Sequence, residues 1–359
     1  MKILKRLFLF LIIFVLAFPA FSCAEKSSVL DFNRFNTAVH VETHGTVMDA
    51  ETENLLKALF SDLENQFDLN KIGSITYQFN NASIGQTLSL TESGAQLLKI
   101  AKDCYAFTDG DFNPAVYPLV KLWQFSPNYP VKNFTPPKQS EIDNALKNTD
   151  FINAELNETE RTLNKKGAIE IDLGGIVKGF AADMAAKILS ERGHEKGYIN
   201  VGGSSLFLLK TDTLSIRHPR ANADIPSIIT VKTENTPNVN VSTSGDYQRY
   251  YLHDRITYSH VISPKDGYPT STGVCSVTVI GADGAFSDAI TTAACLKQHN
   301  PTQTDKSQLI SFLQKIIGKY PSAEIYAVYE KDGTKQIVTN KTVENDFILH
   351  DNSYSIIKI

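Results

Sequence analysis

Asp172-Leu-Gly-Gly-Ile-Val-Lys178-Gly-Phe-Ala-Ala-Asp183 reads as strand, glycine turn and helix. Over 168–173 apolar residues alternate around Glu170 and Asp172, which predicts a strand, and Gly174-Gly175 permits the tight turn that follows. From Ile176 onward Val177, Ala181, Met184, Ala185, Ile188 and Leu189 recur at helical spacing until Gly193 stops the run, predicting a helix over 174–192. The start of a helix presents free backbone N–H groups and the positive end of a dipole, so it attracts an anion. Lys178 adds a cation in the first turn, and Asp172 adds a carboxylate beside it. That set suits a phosphate-containing ligand; its plainer reading is a packing turn between strand and helix.

Outward from this segment, 50–67 and 90–107 carry leucines and phenylalanines at helical spacing, the second led by Thr91 as N-cap, and 139–149 predicts a short helix. Residues 37–47 read as a strand pair or one strand bent at Gly45, and 150–172 as a β-hairpin turning through Asn164 to Gly167. Strands are predicted over 197–209, 214–217, 228–241, 247–259 and 272–280, a helix opens over 286–296, and the tail from Ala323 alternates and ends in β-structure. Pro127, Pro130, Pro136 and Pro137 exclude regular structure over 126–138. Strands and helices segregated in this way predict an α+β fold with a largely antiparallel sheet and packed helices.

The chain has 359 residues, 42% hydrophobic and 21% charged, ample for a large core as one domain or two lobes. Its N-terminus differs from the rest. Lys2, Lys5 and Arg6 form a short basic region, 7–18 is an unbroken apolar run, and Ala20-Phe-Ser-Cys23 follows. This is the pattern of a secretory leader, too short for a comfortable membrane span. A small residue directly before a cysteine resembles a bacterial lipobox. We therefore expect 1–22 to be removed and Cys23 to be lipidated, with plain cleavage as the alternative, and 23–36 to form a tether to a domain over 37–359. The protein would then face the periplasm, anchored to the bacterial cell envelope. Removal takes away three positive charges and no acid, moving the formal net charge from −4 to −7. That balance argues against nonspecific nucleic-acid binding, which needs positive patches. Cys104, Cys275 and Cys295 remain, an odd number without C-x-x-C spacing, so neither a disulfide framework nor a zinc site is expected.

Asp288 and Thr292 stand four residues apart in a predicted helix, so their oxygens share a face. A carboxylate and a hydroxyl make a hard oxygen site, suited to magnesium rather than zinc. The plainer reading is an N-capping Asp with a Thr bonded to its own helix backbone, and Thr291 is the rival hydroxyl. Thr243, Ser244 and Gly245 read as a ligand loop; its plainer reading is a structural loop in which Asp246 and Arg249 pair.

Four blocks follow one another in the chain: 172–183, Val241-Ser-Thr-Ser-Gly-Asp-Tyr-Gln-Arg249, Tyr258-Ser-His260-Val-Ile-Ser-Pro264-Lys-Asp-Gly267-Tyr-Pro269, and Ser287-Asp288-Ala-Ile-Thr-Thr292-Ala-Ala. In this order they resemble the ApbE family, the FAD:protein FMN transferases. The resemblance extends to Thr108-Asp-Gly-Asp-Phe-Asn-Pro114 with Leu122-Trp123-Gln-Phe125, and to His44-Gly45-Thr46, covering most of residues 40–300. It implies an ApbE-like, T-fold-related architecture. It implies magnesium held by Asp288, Thr292 and the Gly175 carbonyl, and His260 as the base that takes a proton from an attacking hydroxyl. It also implies that His44, Asp111, Phe112, Asn113, Asp172, Lys178, Thr243, Ser244, Gly245 and Ile262 contact FAD. Four positions depart from the family's usual residues: His44 stands for Met, Asn113 for Asp, Ser263 for Asp and Asp266 for Thr. Tyr105, Phe112 and Trp123 are candidate isoalloxazine stackers, with core packing the better reading for Trp123.

The implied reaction transfers FMN from FAD to a threonine of an exported flavoprotein or redox-complex subunit, with release of AMP. The alternatives are hydrolysis of FAD to FMN and AMP by the same site, and a noncatalytic flavin-binding lipoprotein.

Overall fold

The computed structural model describes residues 26–125, 131–210, 213–221, 224–233, 238–297 and 306–359. The expected leader and Cys23 lie outside the described residues, as do 126–130 of the proline-rich loop. Along the chain run β1 (Ser27–Arg34), β2 (Thr37–His44), α1 (Ala50–Phe67), α2 (Ile75–Asn81), β3 (Thr87–Ser89), α3 (Glu92–Phe107), α4 (Tyr117–Leu122) and α5 (Gln139–Leu146). There follow β4 (Ala154–Asn157), β5 (Thr162–Lys165), α6 (Val177–Glu191), β6 (Lys196–Val201), β7 (Ser205–Lys210), β8 (Thr213–Arg217), β9 (Ser227–Lys232) and β10 (Val239–Gly245). The rest comprises β11 (Tyr250–His253), β12 (Ile256–Ser259), β13 (Val274–Ile280), α7 (Gly284–Leu296), α8 (Ser307–Lys319), β14 (Glu324–Lys331), β15 (Thr334–Thr339), β16 (Phe347–Leu349) and β17 (Ser355–Lys358).

Nine strands form the central sheet in the order β1-β2-β6-β7-β10-β13-β14-β15-β17. Neighbours are antiparallel except β15 and β17. One face is covered by helices, where Leu56, Phe60, Leu97, Phe180, Ile290 and Leu313 meet Val277 and Val279 of β13. The other face meets the small sheet β16-β9-β8, where Leu208, Val241, Tyr326 and Val328 pack on Ile216, Ile229 and Phe347. Covered on both faces, β13 is buried along its whole length, which is why its sequence is apolar or small throughout. A third cluster, built on Trp123, Phe125, Phe134, Tyr251 and Ile262, fastens α4 and α5 to the β11–β12 hairpin.

The predicted fold class holds, and several local expectations need correction: the runs read as strands over 197–209 and 247–259 are hairpins, β6–β7 and β11–β12, and four further segments differ. Residues 168–173 are extended but pair with no strand. The Asn80 side chain takes the neighbouring strand's place: its Oδ1 accepts from Ile171 N–H at 2.7 Å and its Nδ2 donates to the Ile171 carbonyl at 2.9 Å. The apolar alternation was real, since Ile169, Ile171 and Leu173 are buried, but burial alone does not specify a ladder partner. The hairpin within 150–172 turns between Asn157 and Thr162, with Arg161 at φ 50°, rather than through Asn164 to Gly167. The tether expected over 23–36 is a strand from Ser27 on. As an edge strand β1 buries only Leu30 fully, so its polar residues mask the alternation. Residues 37–47 are neither a strand pair nor a bent strand, because β2 ends at His44 and its partner is β1.

Candidate active site

Two glycines bring the site together. A Cβ on Gly179 would lie 2.1 Å from the Gly284 carbonyl oxygen, and one on Gly284 would lie 2.6 Å from the Gly179 carbonyl oxygen. The first turns of α6 and α7 therefore cross at a distance that no side chain at either position allows. Asp183 locks the crossing by accepting from the Gly284 and Ala285 N–H groups at 2.9 and 3.3 Å, which caps α7. Burial pushes the Asp183 carboxyl up to about 6, against the hydrogen bonds from Asn240 and the α7 amides.

The crossing sets Gly179 N–H 2.7 Å from Asp288 Oδ2, while Ser205 Oγ donates to Asp288 Oδ1 at 2.7 Å. Gly179 lies in the first turn of α6, where an amide has no partner within its own helix, and Asp288 supplies one; the Gly175 carbonyl lies before the helix and takes no part in its ladder. Burial raises the pKa of Asp288 above the usual carboxylate range, and the nearby Lys178 charge acts in the opposite sense. One turn later Thr292 Oγ1 donates to the Asp288 carbonyl at 3.2 Å and stands 3.0 Å from Ser244 Oγ. Thr291 is fully buried and bonds the carbonyls of Ser287 and Asp288, so Thr292 is the hydroxyl on the cavity wall.

These groups border a cavity of about 750 Å³, which Gly175, Lys178, Asp288 and Thr292 line. Asp172 lines it too, closing the glycine turn by accepting from Gly174 N–H at 2.7 Å. Burial raises the Asp172 pKa, while the Arg249 charge pulls it down. Lys178 Nζ donates to Ser204 Oγ at 2.7 Å. Thr243, Ser244 and Gly245, at the end of β10, form another wall. Gly245 must be glycine, because a Cβ there would meet the Tyr247 ring at 2.5 Å and the Cys275 carbonyl at 2.8 Å.

His260 follows β12 and is half-buried in the same cavity. Its N–H donates to the Arg249 carbonyl at 3.0 Å, and its Nδ1 stands 3.1 Å from the same oxygen. A carbonyl only accepts, so Nδ1 carries the proton in this bond and Nε2 is left as the acceptor of the neutral ring. Burial and the Arg249 charge push the His260 pKa down to about 3, with Lys178 adding to the effect and the Arg249 carbonyl opposing it.

The loop 111–113 completes the wall, each residue held differently. Asp111 is buried in ion pairs with Lys265, at 2.6 Å, and Lys297. Phe112 presents its ring near Gly175. Asn113 Oδ1 accepts from Ala115 N–H at 2.8 Å, and its Nδ2 donates to the Thr149 carbonyl at 2.7 Å. An aspartate has no proton to give that carbonyl at neutral pH, which explains the amide at this position. Ser263 and Asp266 serve the turn around Pro264, accepting from Lys265 N–H at 3.3 Å and Tyr268 N–H at 3.2 Å. Ile262 lines the cavity from the aromatic cluster.

Two expectations about these side chains fail. His44 is not in the cavity. It ends β2, 3.4 Å from Glu42, whereas Thr37 at the start of the strand lines the cavity; seven residues at ~3.3 Å each put the two ends ~23 Å apart. The turn Phe35-Asn36, with φ of 53° and 56°, stands at the cavity instead. An asparagine in a two-residue link between extended runs was a readable signal for it. Asp246 does not pair with Arg249; Arg220 holds it bidentately at 2.8 and 2.9 Å, leaving Arg249 to line the cavity. Trp123 is core, fully buried with Nε1 donating to the Gly267 carbonyl at 2.7 Å. Tyr105 packs on Phe151, so of the three candidate stackers Phe112 reaches the cavity, joined there by Phe35, Phe67 and Phe125.

Among the described residues no group of three or more His, Cys, Asp or Glu side chains is placed to hold a metal ion. The candidate donors that share the cavity wall are all oxygen: the Asp288 carboxylate, the Thr292 hydroxyl and the Gly175 carbonyl. That oxygen set fits a small hard cation that keeps waters and shares phosphate oxygens.

The model of the ApbE family matches residues 35–305. A protein of Klebsiella pneumoniae named FAD:protein FMN transferase is 31% identical over 235 residues, covering 65% of this chain and 72% of that protein. One of the same name from Chlamydia muridarum is 28% identical over 314 residues, covering 85% and 93%. The crystal structure of the ApbE protein from Thermotoga maritima matches with a TM-score of 0.72 at 25% identity, covering 85% of this chain and 94% of that one.

Proposed function

The chain belongs to the ApbE family, and on that premise we propose that it is an FAD:protein FMN transferase acting on an exported acceptor protein. A threonine hydroxyl of the acceptor attacks the FMN-side phosphorus of FAD. A new P–O bond forms to the threonine, the bond to the bridging oxygen breaks, and AMP leaves with that oxygen. The hydroxyl proton passes to His260 Nε2.

One observation carries this reading: a neutral imidazole with Nε2 available shares a single cavity with Lys178, the start of α6 and an all-oxygen donor set. Asp288, Thr292 and the Gly175 carbonyl would hold a magnesium ion, which when bound supplies positive charge to the pyrophosphate oxygens. Lys178 places a second positive charge in the same cavity, and the free amides of the α6 N-terminus favour an anion there. His260 is held in its tautomer by Arg249, so no reorganisation is needed before it accepts the proton. Water entering in place of the threonine would give hydrolysis by the same route, with FMN and AMP as products.

The apolar run over 7–18 and the lipobox-like Ala20-Phe-Ser-Cys23 support export and a lipid anchor on Cys23. Among the described residues no helix is long and apolar enough to cross a membrane. A Cys23→Ala variant should leave the membrane fraction; if it stays there after leader cleavage, the anchor is wrong.

Paired variants test the roles within the site. His260→Ala should slow FMN transfer roughly 10²–10⁴-fold with little change in FAD affinity. Asp288→Asn should abolish the response to magnesium with no loss of fold, because the desolvation cost goes with the charge. Turnover at saturating FAD that survives in His260→Ala, or magnesium dependence that survives in Asp288→Asn, contradicts the assignment.

A further inference from the structure

Arg249 is the cavity residue whose role the preceding reading leaves open. Its expected partner, Asp246, is held by the Arg220 fork, and no carboxylate of the described residues lies within ion-pair distance of its guanidinium. Its side chain is exposed on the cavity wall. Two cations thus border the cavity that holds the imidazole. Lys178 is the one whose charge is felt by Asp288, and Arg249 is the one whose charge is felt by Asp172; both are felt by His260. Arg249 also anchors the imidazole through its own carbonyl, so the guanidinium and the proton acceptor are held by one residue.

An exposed guanidinium with no carboxylate on it is free to take an anion that enters the cavity, and its planar fork matches two phosphate oxygens better than a point charge does. We propose that Arg249 is a second substrate-contacting cation, which grips the pyrophosphate of the dinucleotide from the Asp172 side of the cavity. The inference rests on the reading of this cavity as an FAD site. It assigns to Arg249 a specificity role: the residue favours a flavin that carries phosphate over one that carries none. The charge balance of the site agrees. Arg249 and Lys178 both disfavour a protonated His260; a pyrophosphate held by them would offset that effect, so binding would make the imidazole a better proton acceptor.

Fluorescence titration of the full mature chain with FAD, and separately with riboflavin, tests this. Arg249→Ala should weaken FAD binding by about ten- to a hundredfold, the range for a lost charge-assisted hydrogen-bonded contact, and leave riboflavin affinity unchanged. Arg249→Lys should recover only part of the loss, because an ammonium lacks the fork. Equal FAD affinity in Arg249→Ala and the natural chain overturns the proposal. So does a parallel loss of FAD and riboflavin, which marks a structural role. If the natural chain binds no FAD, the reading of the cavity fails first and the inference with it; if it binds FAD and Arg249→Ala binds as well, the inference alone fails.

Discussion

Nearly every influence of the protein on the His260 ring favours its neutral form: burial, the Arg249 charge and the Lys178 charge, with the Arg249 carbonyl the one opposing group. The folded pKa near 3 lies below the ordinary 6.5, so between those values the folded chain binds fewer protons here than the unfolded chain. The sign follows: His260 takes stability from the fold as pH falls through that interval and costs nothing above it. NMR of the ligand-free chain should therefore show a His260 ring that stays neutral down to at least pH ~5. A titration midpoint near 6.5 would mean that the ring is solvated and not held as described. His260 could be marked in the sequence only by resemblance, because a lone histidine carries no periodic signal. Its tautomer could not be read at all, since it depends on a carbonyl eleven residues earlier that the β11–β12 hairpin brings back.

At the scale of elements, the helices that depend on local signals were legible. The leucine and phenylalanine spacing placed α1 over Ala50–Phe67, and Thr91 caps α3 by accepting from Gly94 N–H at 3.0 Å. What escaped was pairing. The 168–173 segment has a strand's alternation but takes Asn80 as its partner, and β1 has a partner but little alternation. Leu309, Phe312, Leu313 and Ile316 of α8 do carry helical spacing and could have been read, whereas α2, with seven residues, is too short for a period to show. The feature that builds the site, the α6–α7 crossing, lay unread in two glycines more than a hundred residues apart. Gly179→Ala forces a Cβ into the Gly284 carbonyl, so we expect a loss of about 1–3 kcal/mol by chemical denaturation, the usual cost of overpacking. Magnesium and FAD binding should fall with it, because the Gly179 amide would move off Asp288. Unchanged stability and binding would show that the helices can part without harm to the site.

For the whole molecule, segregated strands and helices announced the α+β class, and the four ordered motifs announced a family. The class follows from local patterns along the chain, whereas the position of the cavity depends on long-range register. β10 of the nine-stranded sheet, the residue after the separate β11–β12 hairpin, the turn before α6 and the first turns of α6 and α7 meet at one cavity, so motifs far apart in sequence share its wall. The same register carries His44 away from it, a displacement no local motif reveals, since resemblance read along the chain cannot say which end of a strand faces the site. The account's central claim is that this cavity moves FMN from FAD onto a protein hydroxyl. The most direct measurement co-expresses the chain with exported flavoprotein subunits of the same organism in a host lacking its own flavin transferase. Denatured acceptors are then examined for flavin fluorescence, and the purified pair, supplied with FAD and magnesium, is assayed for AMP. The account predicts flavin that stays on an acceptor threonine through denaturation, with one AMP released per flavin attached, and both formed roughly 10²–10⁴-fold more slowly with His260→Ala. AMP and free FMN with no flavin on any acceptor, or FAD left intact, would contradict it.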